Sequence, residues 1–295
     1  MRNTIGLEKP HKIERRKKTI PYTFVIMWSS GAIFVELGLR YADPFIFLFL
    51  RLFLSAFIFW GVVLYLKTEI PKKKNEWAYI LLTGLCMQAG YQIFYFLALD
   101  NHISPGVLTI FLGAQPIITT MVSKEKSHEI QWMGLSLGII GLILVVADSI
   151  AINTFSFVGI VSAFFSLISI TIGTLLQKHI QLSQPSNMAI QYSGAAIVLF
   201  ILTIVTKQSI EWTAMFTVSL GWMVLVISVG ATILLYYMIQ NGNLTNVTSL
   251  LYSVPPVTAI LDYFVFKNTL ELMTISGMIL IIIGLFLVNK EGKFT

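Results

Sequence analysis

The feature that most restricts this chain is a series of apolar stretches, each near the roughly 20 residues a helix needs to cross a bilayer. Ten of them fall at 20–39, 44–66, 76–98, 104–123, 130–147, 156–177, 185–206, 215–239, 245–266 and 271–288, with short connectors. Hydrocarbon offers no water to backbone N–H and C=O groups, so only helices and closed barrels span it. Here Ile, Val and Phe come in unbroken runs rather than in ten-residue alternation, which excludes a β-barrel. Only 12% of the 295 residues are charged and 56% are hydrophobic, whereas a soluble domain carries about a quarter charged residues. The expected fold is an all-α membrane protein of ten transmembrane helices with no soluble domain.

Lys and Arg counts orient it. If the N-terminus is cytoplasmic, sixteen of the twenty Lys and Arg residues fall on the inner side and three (Arg40, Lys207 and Lys267) on the outer, with Arg51 inside the second stretch. That asymmetry predicts an inner (plasma) membrane protein of bacterial type with both termini cytoplasmic. The basic tail, residues 1–19, holds seven of these charges and runs straight into an apolar stretch without interleaved aromatics. A cytoplasmic anchor is expected, not nucleic-acid binding. No small-x-small cleavage site closes the first stretch, so it reads as retained.

The chain also echoes itself at an offset of 140 residues: Gly90 with Gly230, Val107-Leu108-Thr109 with Val247-Thr248-Ser249, and Gln115-Pro116 with Pro255-Pro256. After a three-residue slip, Gly134 and Gly141 meet Gly277 and Gly284. Residues 20–150 and 151–295 then form two repeats of five helices each. Five being odd, the second repeat must be inverted relative to the first, about a pseudo-two-fold axis in the membrane plane, and the expected site lies between them around a central cavity. The glycines suit close helix approach. Packing within a repeat is the expectation, with a dimer seam as the alternative.

Several polar residues stand inside the apolar stretches. Gly113 and Pro116 in the fourth, and Pro255 and Pro256 in the ninth, mark helix breaks. Proline removes a backbone donor, and freed carbonyls must face protein or water. A cavity-lining or hinge role is expected, with a plain packing kink as the alternative. Gln88, Tyr91, Gln92 and Tyr95 share one helical face of the third stretch and should point into the bundle. With Gln115, Trp28, Tyr237 and Tyr252 they are the candidate substrate-binding set, although any single tyrosine serves equally as an interface anchor. Glu36, Arg51 and Asp262 are the charges within stretches, each costing roughly 2.5–3.5 kcal/mol at mid-membrane. They are candidates for charge coupling, including to protons; solvent contact for Glu36 and a structural hydrogen bond for Asp262 are the alternatives. Cys86 is the only cysteine, which rules out an internal disulfide and a cysteine-pair metal site. No HExxH, GxSxG or phosphate loop is present, so neither an enzyme nor a bound cofactor or metal is expected.

Trp28-Ser29-Ser30-Gly31, Gly38 to Pro44, Leu50-Arg51, Leu112 to Thr119 and Tyr252 to Ala259, in this order and spacing, resemble ten-span EamA-type carriers of the drug/metabolite transporter superfamily. The resemblance covers nearly all of the chain after the tail. It implies a cavity lined by spans 1, 3, 4, 6, 8 and 9, alternating access, and often export of amino acids and other small metabolites. The chain departs from that pattern at Lys124-Glu125 and Lys267-Asn268, where a Gly-Glu pair is common, at Glu36, where lysine is common, and at Asp262. The expected function is a secondary transporter exporting small amphipathic metabolites such as amino acids. The alternatives are an importer of a nucleotide-like or vitamin-like solute and, more distantly, a polytopic membrane enzyme.

Overall fold

The computed structural model describes residues 10–101, 108, 111–123, 128–145, 156–266 and 272–291. Among them, seven helices are long and apolar enough to cross a membrane: α1 (Thr19–Leu39), α2 (Pro44–Leu66), α3 (Lys74–Leu99), α6 (Phe157–Gln177), α7 (Gln184–Val205), α8 (Ala214–Asn241) and α9 (Leu244–Val265). Three shorter apolar helices are α4 (Phe111–Val122), α5 (Glu129–Leu144) and α10 (Ile275–Val288). Each lies within one of the apolar stretches or overlaps most of it. The helix containing α1 starts earlier, at Pro10, so part of the basic tail is helical. The departures at Lys124-Glu125 and Lys267-Asn268 lie outside the described residues, and so does the side chain of Asp262.

The surface is strongly apolar, and the interior, though mainly apolar, carries many polar side chains. Phe57, Leu64, Phe157, Ile201, Ile282 and Phe286 are exposed, whereas the buried set includes many Ser, Thr, Asn and Gln side chains. Outward residues have lipid as their solvent, so burying them gains little. Tight packing and hydrogen bonds hold the helices together instead.

Two antiparallel seams join the first half of the chain to the second. Along α2 and α7, the Thr68 hydroxyl lies 2.8 Å from that of Ser186, Trp60 Nε1 donates to Ser193 Oγ at 3.0 Å, and Phe49 packs against Phe200. At the far end the Phe45 amide donates to Gln208 Oε1 at 3.1 Å. Ser209 donates there to Asp43 through its amide (2.8 Å) and its hydroxyl (2.9 Å), beside an antiparallel bridge between Ala42 and Ile210.

The second seam joins α5 to α10. A Cβ on Gly134 would lie 2.6 Å from the Gly284 carbonyl oxygen, and one on Gly141 2.7 Å from that of Gly277. Only glycine permits such backbone contact. The expectation of packing within one repeat is thereby corrected: these glycines meet across the halves. Glycine distances within one stretch could not show this, because the partner helix lies more than a hundred residues away.

The helices also carry breaks at related places. π-Helical turns occupy Leu85–Gly90 within α3 and Met223–Ala231 within α8, spanning the echoed Gly90 and Gly230. In α9 a 3₁₀ turn, Leu250–Ser253, precedes the prolines. Pro255 cannot donate to Leu251 four residues back, and the Val254 amide takes that carbonyl instead. The tighter turn is the local repair of the proline break. α4 breaks likewise at Ala114, whose amide donates to Phe111 (3.1 Å), before helix resumes at Gln115 with Pro116 in its first turn.

Candidate functional site

The buried polar side chains are organised by the two π turns and the middle of α7. Gln88 Nε2, in the π turn of α3, donates to the Tyr236 hydroxyl of α8 at 3.0 Å. Tyr236 in turn donates to Gln191 Oε1 of α7 at 2.6 Å. Gln191 Nε2 donates onward to Asn187 Oδ1 (2.7 Å) and to Gln177 Oε1 (2.8 Å) on α6. One buried chain of amides and a phenol thus ties α3, α8, α7 and α6 together. It forms because α3 and α7 nearly touch: a Cβ on Gly84 would lie 2.6 Å from the Gln191 Cα. Gln177 Nε2 ends the chain as a buried donor without a partner among the described residues.

A second group sits one residue away. Arg51 of α2 donates through Nε to Ser228 Oγ at 2.7 Å, and Tyr192 of α7 donates to the Ser228 carbonyl at 2.6 Å. Arg51 is the only buried charged side chain among the described residues. A third link runs from Gln115 Nε2, at the α4 break, to Thr174 Oγ1 of α6 at 3.1 Å.

Some of the sequence-predicted residues lie in these groups and others beside them. Gln88, Gln92, Gln115 and Arg51 are buried, and Gln92 turns back to donate to the Gln88 carbonyl at 2.8 Å. Tyr91 and Tyr95 are half-buried and meet edge to face at 6.0 Å between centroids. Trp28 is half-buried against Phe24, and Tyr237 packs on the same central apolar cluster. Gly113 lies at the α4 break, where a Cβ would lie 2.2 Å from Leu142 of α5. Pro255 and Pro256 follow the α9 turn; the Ser29 hydroxyl of α1 donates to the Val254 carbonyl at 3.3 Å.

Gly113, Tyr252 and Glu36 do not join this group, Gly113 facing Leu142 and Tyr252. Tyr252 is buried in the cluster of Leu135, Leu142 and Ile281 beside the α5–α10 seam, its ring filling the space left by Gly138. Glu36 is exposed and accepts from Arg40, one turn on, at 2.9 Å. Sequence reasoning missed Gln177, Asn187, Tyr192 and Thr174. Asn187 and Gln191, one turn apart in an apolar stretch, carry the same signal that singled out Gln88 and Gln92.

Comparisons with known proteins agree with this architecture. The profile of the EamA-like transporter family matches twice, at residues 22–147 and 157–290. An "Uncharacterized transporter" of Archaeoglobus fulgidus is 22% identical over 90% of this chain and 95% of its own length. A "Probable amino-acid metabolite efflux pump" of Escherichia coli is 22% identical over 63% of this chain and 62% of its own. A protein of known crystal structure shares the fold with a TM-score of 0.81, at 15% identity over 94% of this chain and 97% of that one. With a doubled family match covering most of its length and a helical, lipid-facing body around an interior polar network, the chain belongs to the EamA-like transporter family and is a membrane transporter, not an enzyme.

Proposed function

We propose that this protein is a secondary active exporter of small amphipathic metabolites such as amino acids, working by alternating access. Ten helices would cross the membrane as two inverted five-helix repeats, divided near residue 150, with both termini cytoplasmic. The observation that carries this reading is the interior polar network, which repeats across the 140-residue offset. Arg51 with Ser228 corresponds to Gln191 with Gln88, and each pair joins one half to the other. Inverted duplication is the design by which transporters expose one site to either side in turn. The antiparallel α2–α7 and α5–α10 seams support the inversion, since a two-fold axis pairs equivalent helices head to tail.

Chemistry supports the substrate class. Amide side chains and phenols of Gln88, Gln115, Tyr91 and Tyr95 suit a solute with both a flat apolar part and polar ends. The efflux-pump relatives support amino acids and outward movement. The buried cation Arg51 also favours a second reading, an importer of an anionic nucleotide-like or vitamin-like solute.

The test is counterflow in proteoliposomes holding the purified protein. Saturable exchange of radiolabelled amino acids is expected, and Gln115→Ala should raise the half-saturating concentration about tenfold through one lost polar contact. Absence of saturable exchange for amino acids, nucleotides and vitamins alike contradicts the reading.

A further inference from the structure

Arg51 is left incomplete by the protein itself. It lies in the apolar middle of α2 with 8% of its surface exposed, where an uncompensated charge carries a large desolvation cost. Guanidinium has five N–H donors in a planar fork, yet Arg51 uses only Nε, toward Ser228. No acidic side chain among the described residues pairs with it. Its terminal nitrogens, Nη1 and Nη2, bond nothing among the described residues.

The backbone oxygen of Ser228 is already committed elsewhere, accepting from the Tyr192 hydroxyl.

The other repeat shows what a closed version looks like. At the positions 140 residues away, Gln191 and Gln88 are neutral, and Tyr236 bridges them with both hydrogen bonds made. The charged copy has no such bridge. One copy is finished by protein, and the other waits for an acceptor.

We propose that Arg51 anchors a carboxylate of the transported molecule, so that the substrate class is small metabolites bearing a free carboxylate. This deepens the exporter reading and rests on it. The guanidinium fork gives a carboxylate two parallel N–H bonds. A neutral amide of the same size leaves the charge unpaired and is discriminated against.

Proteoliposomes loaded with the twenty common amino acids test this by exchange with a radiolabelled amino-acid mixture. Free amino acids and the corresponding amino-acid amides, which lack the carboxylate, serve as competitors. The wild-type protein should require about tenfold or more amide for equal inhibition, the value of one charge-assisted contact. Arg51→Gln, which installs the residue of the other repeat, should abolish that preference. Arg51→Lys keeps a point charge without the fork and should retain part of it.

Equal competition by amides in the wild type overturns the proposal while leaving the transporter reading intact, and this holds even if Arg51→Gln does not fold. An undiminished preference in Arg51→Gln overturns it as well. No exchange of any amino acid by the wild type overturns the amino-acid export reading and the proposal together.

Discussion

At the scale of single residues, the interior is held by amides whose partners lie on other helices. Tyr236 is the clearest case, accepting from Gln88 and donating to Gln191. Tyr236→Phe keeps the ring and strands both amides. Leaving a buried polar group unpaired costs about 1–3 kcal/mol, but interhelical hydrogen bonds in membranes average nearer 0.6 kcal/mol because the unfolded reference also finds partners. A loss of about 1 kcal/mol is expected, read by reversible unfolding in mixed detergent micelles. No loss would mean that the two amides repair each other directly. The Gln88 and Gln92 face was legible in the sequence because amides on one helical stripe have no place against lipid. Tyr252, singled out as an aromatic ring in another stretch, packs elsewhere, since a buried ring suits a glycine-lined groove as well as a cavity wall.

At the scale of elements, glycine decides which helices can touch. The α5–α10 seam puts opposing backbones in contact, and the Gly284 carbonyl and Val288 amide cannot swing aside when a Cβ is added to Gly134. Helix propensity alone predicts that Gly134→Ala gains up to about 1 kcal/mol. Overpacking predicts a loss of about 1–3 kcal/mol, and because the obstacle is the Gly284 carbonyl, packing wins. A lowered melting temperature in detergent is the expected result; a raised one would show that the seam opens freely. The breaks follow a different logic. Prolines in α4 and α9 were readable as breaks because the missing donor is written in the residue itself. The π turns in α3 and α8 were not, since an inserted residue in the ladder leaves no side-chain signature.

At the scale of the whole molecule, two seams and a polar network tie the halves of the chain together. Polar clamps secure both ends of the α2–α7 pair: Asp43 and Phe45 with Ser209 and Gln208 at one end, Thr68 with Ser186 at the other. The reading that both termini share the cytoplasmic side is checked by replacing Cys86 with serine and introducing single cysteines at Asn3 or Lys293. Membrane-impermeant maleimide applied from outside intact cells should label neither, and both should react once the membrane is opened. Labelling of only one terminus in intact cells contradicts an even number of crossings.

The sequence by itself determined the class of solvent, the approximate ends of the apolar helices and the doubled character of the chain. These follow from transfer free energies and residue spacing, which are summed along the chain and need no knowledge of partners. Only the tertiary structure decided that the glycines meet across the halves, that Tyr236 closes one copy of the interior contact, and that Arg51 remains open in the other. Those outcomes depend on which faces of distant helices come into register, and on whether each buried donor finds its acceptor there. Hydropathy is a property of a residue, whereas satisfaction of a buried charge is a property of its neighbours.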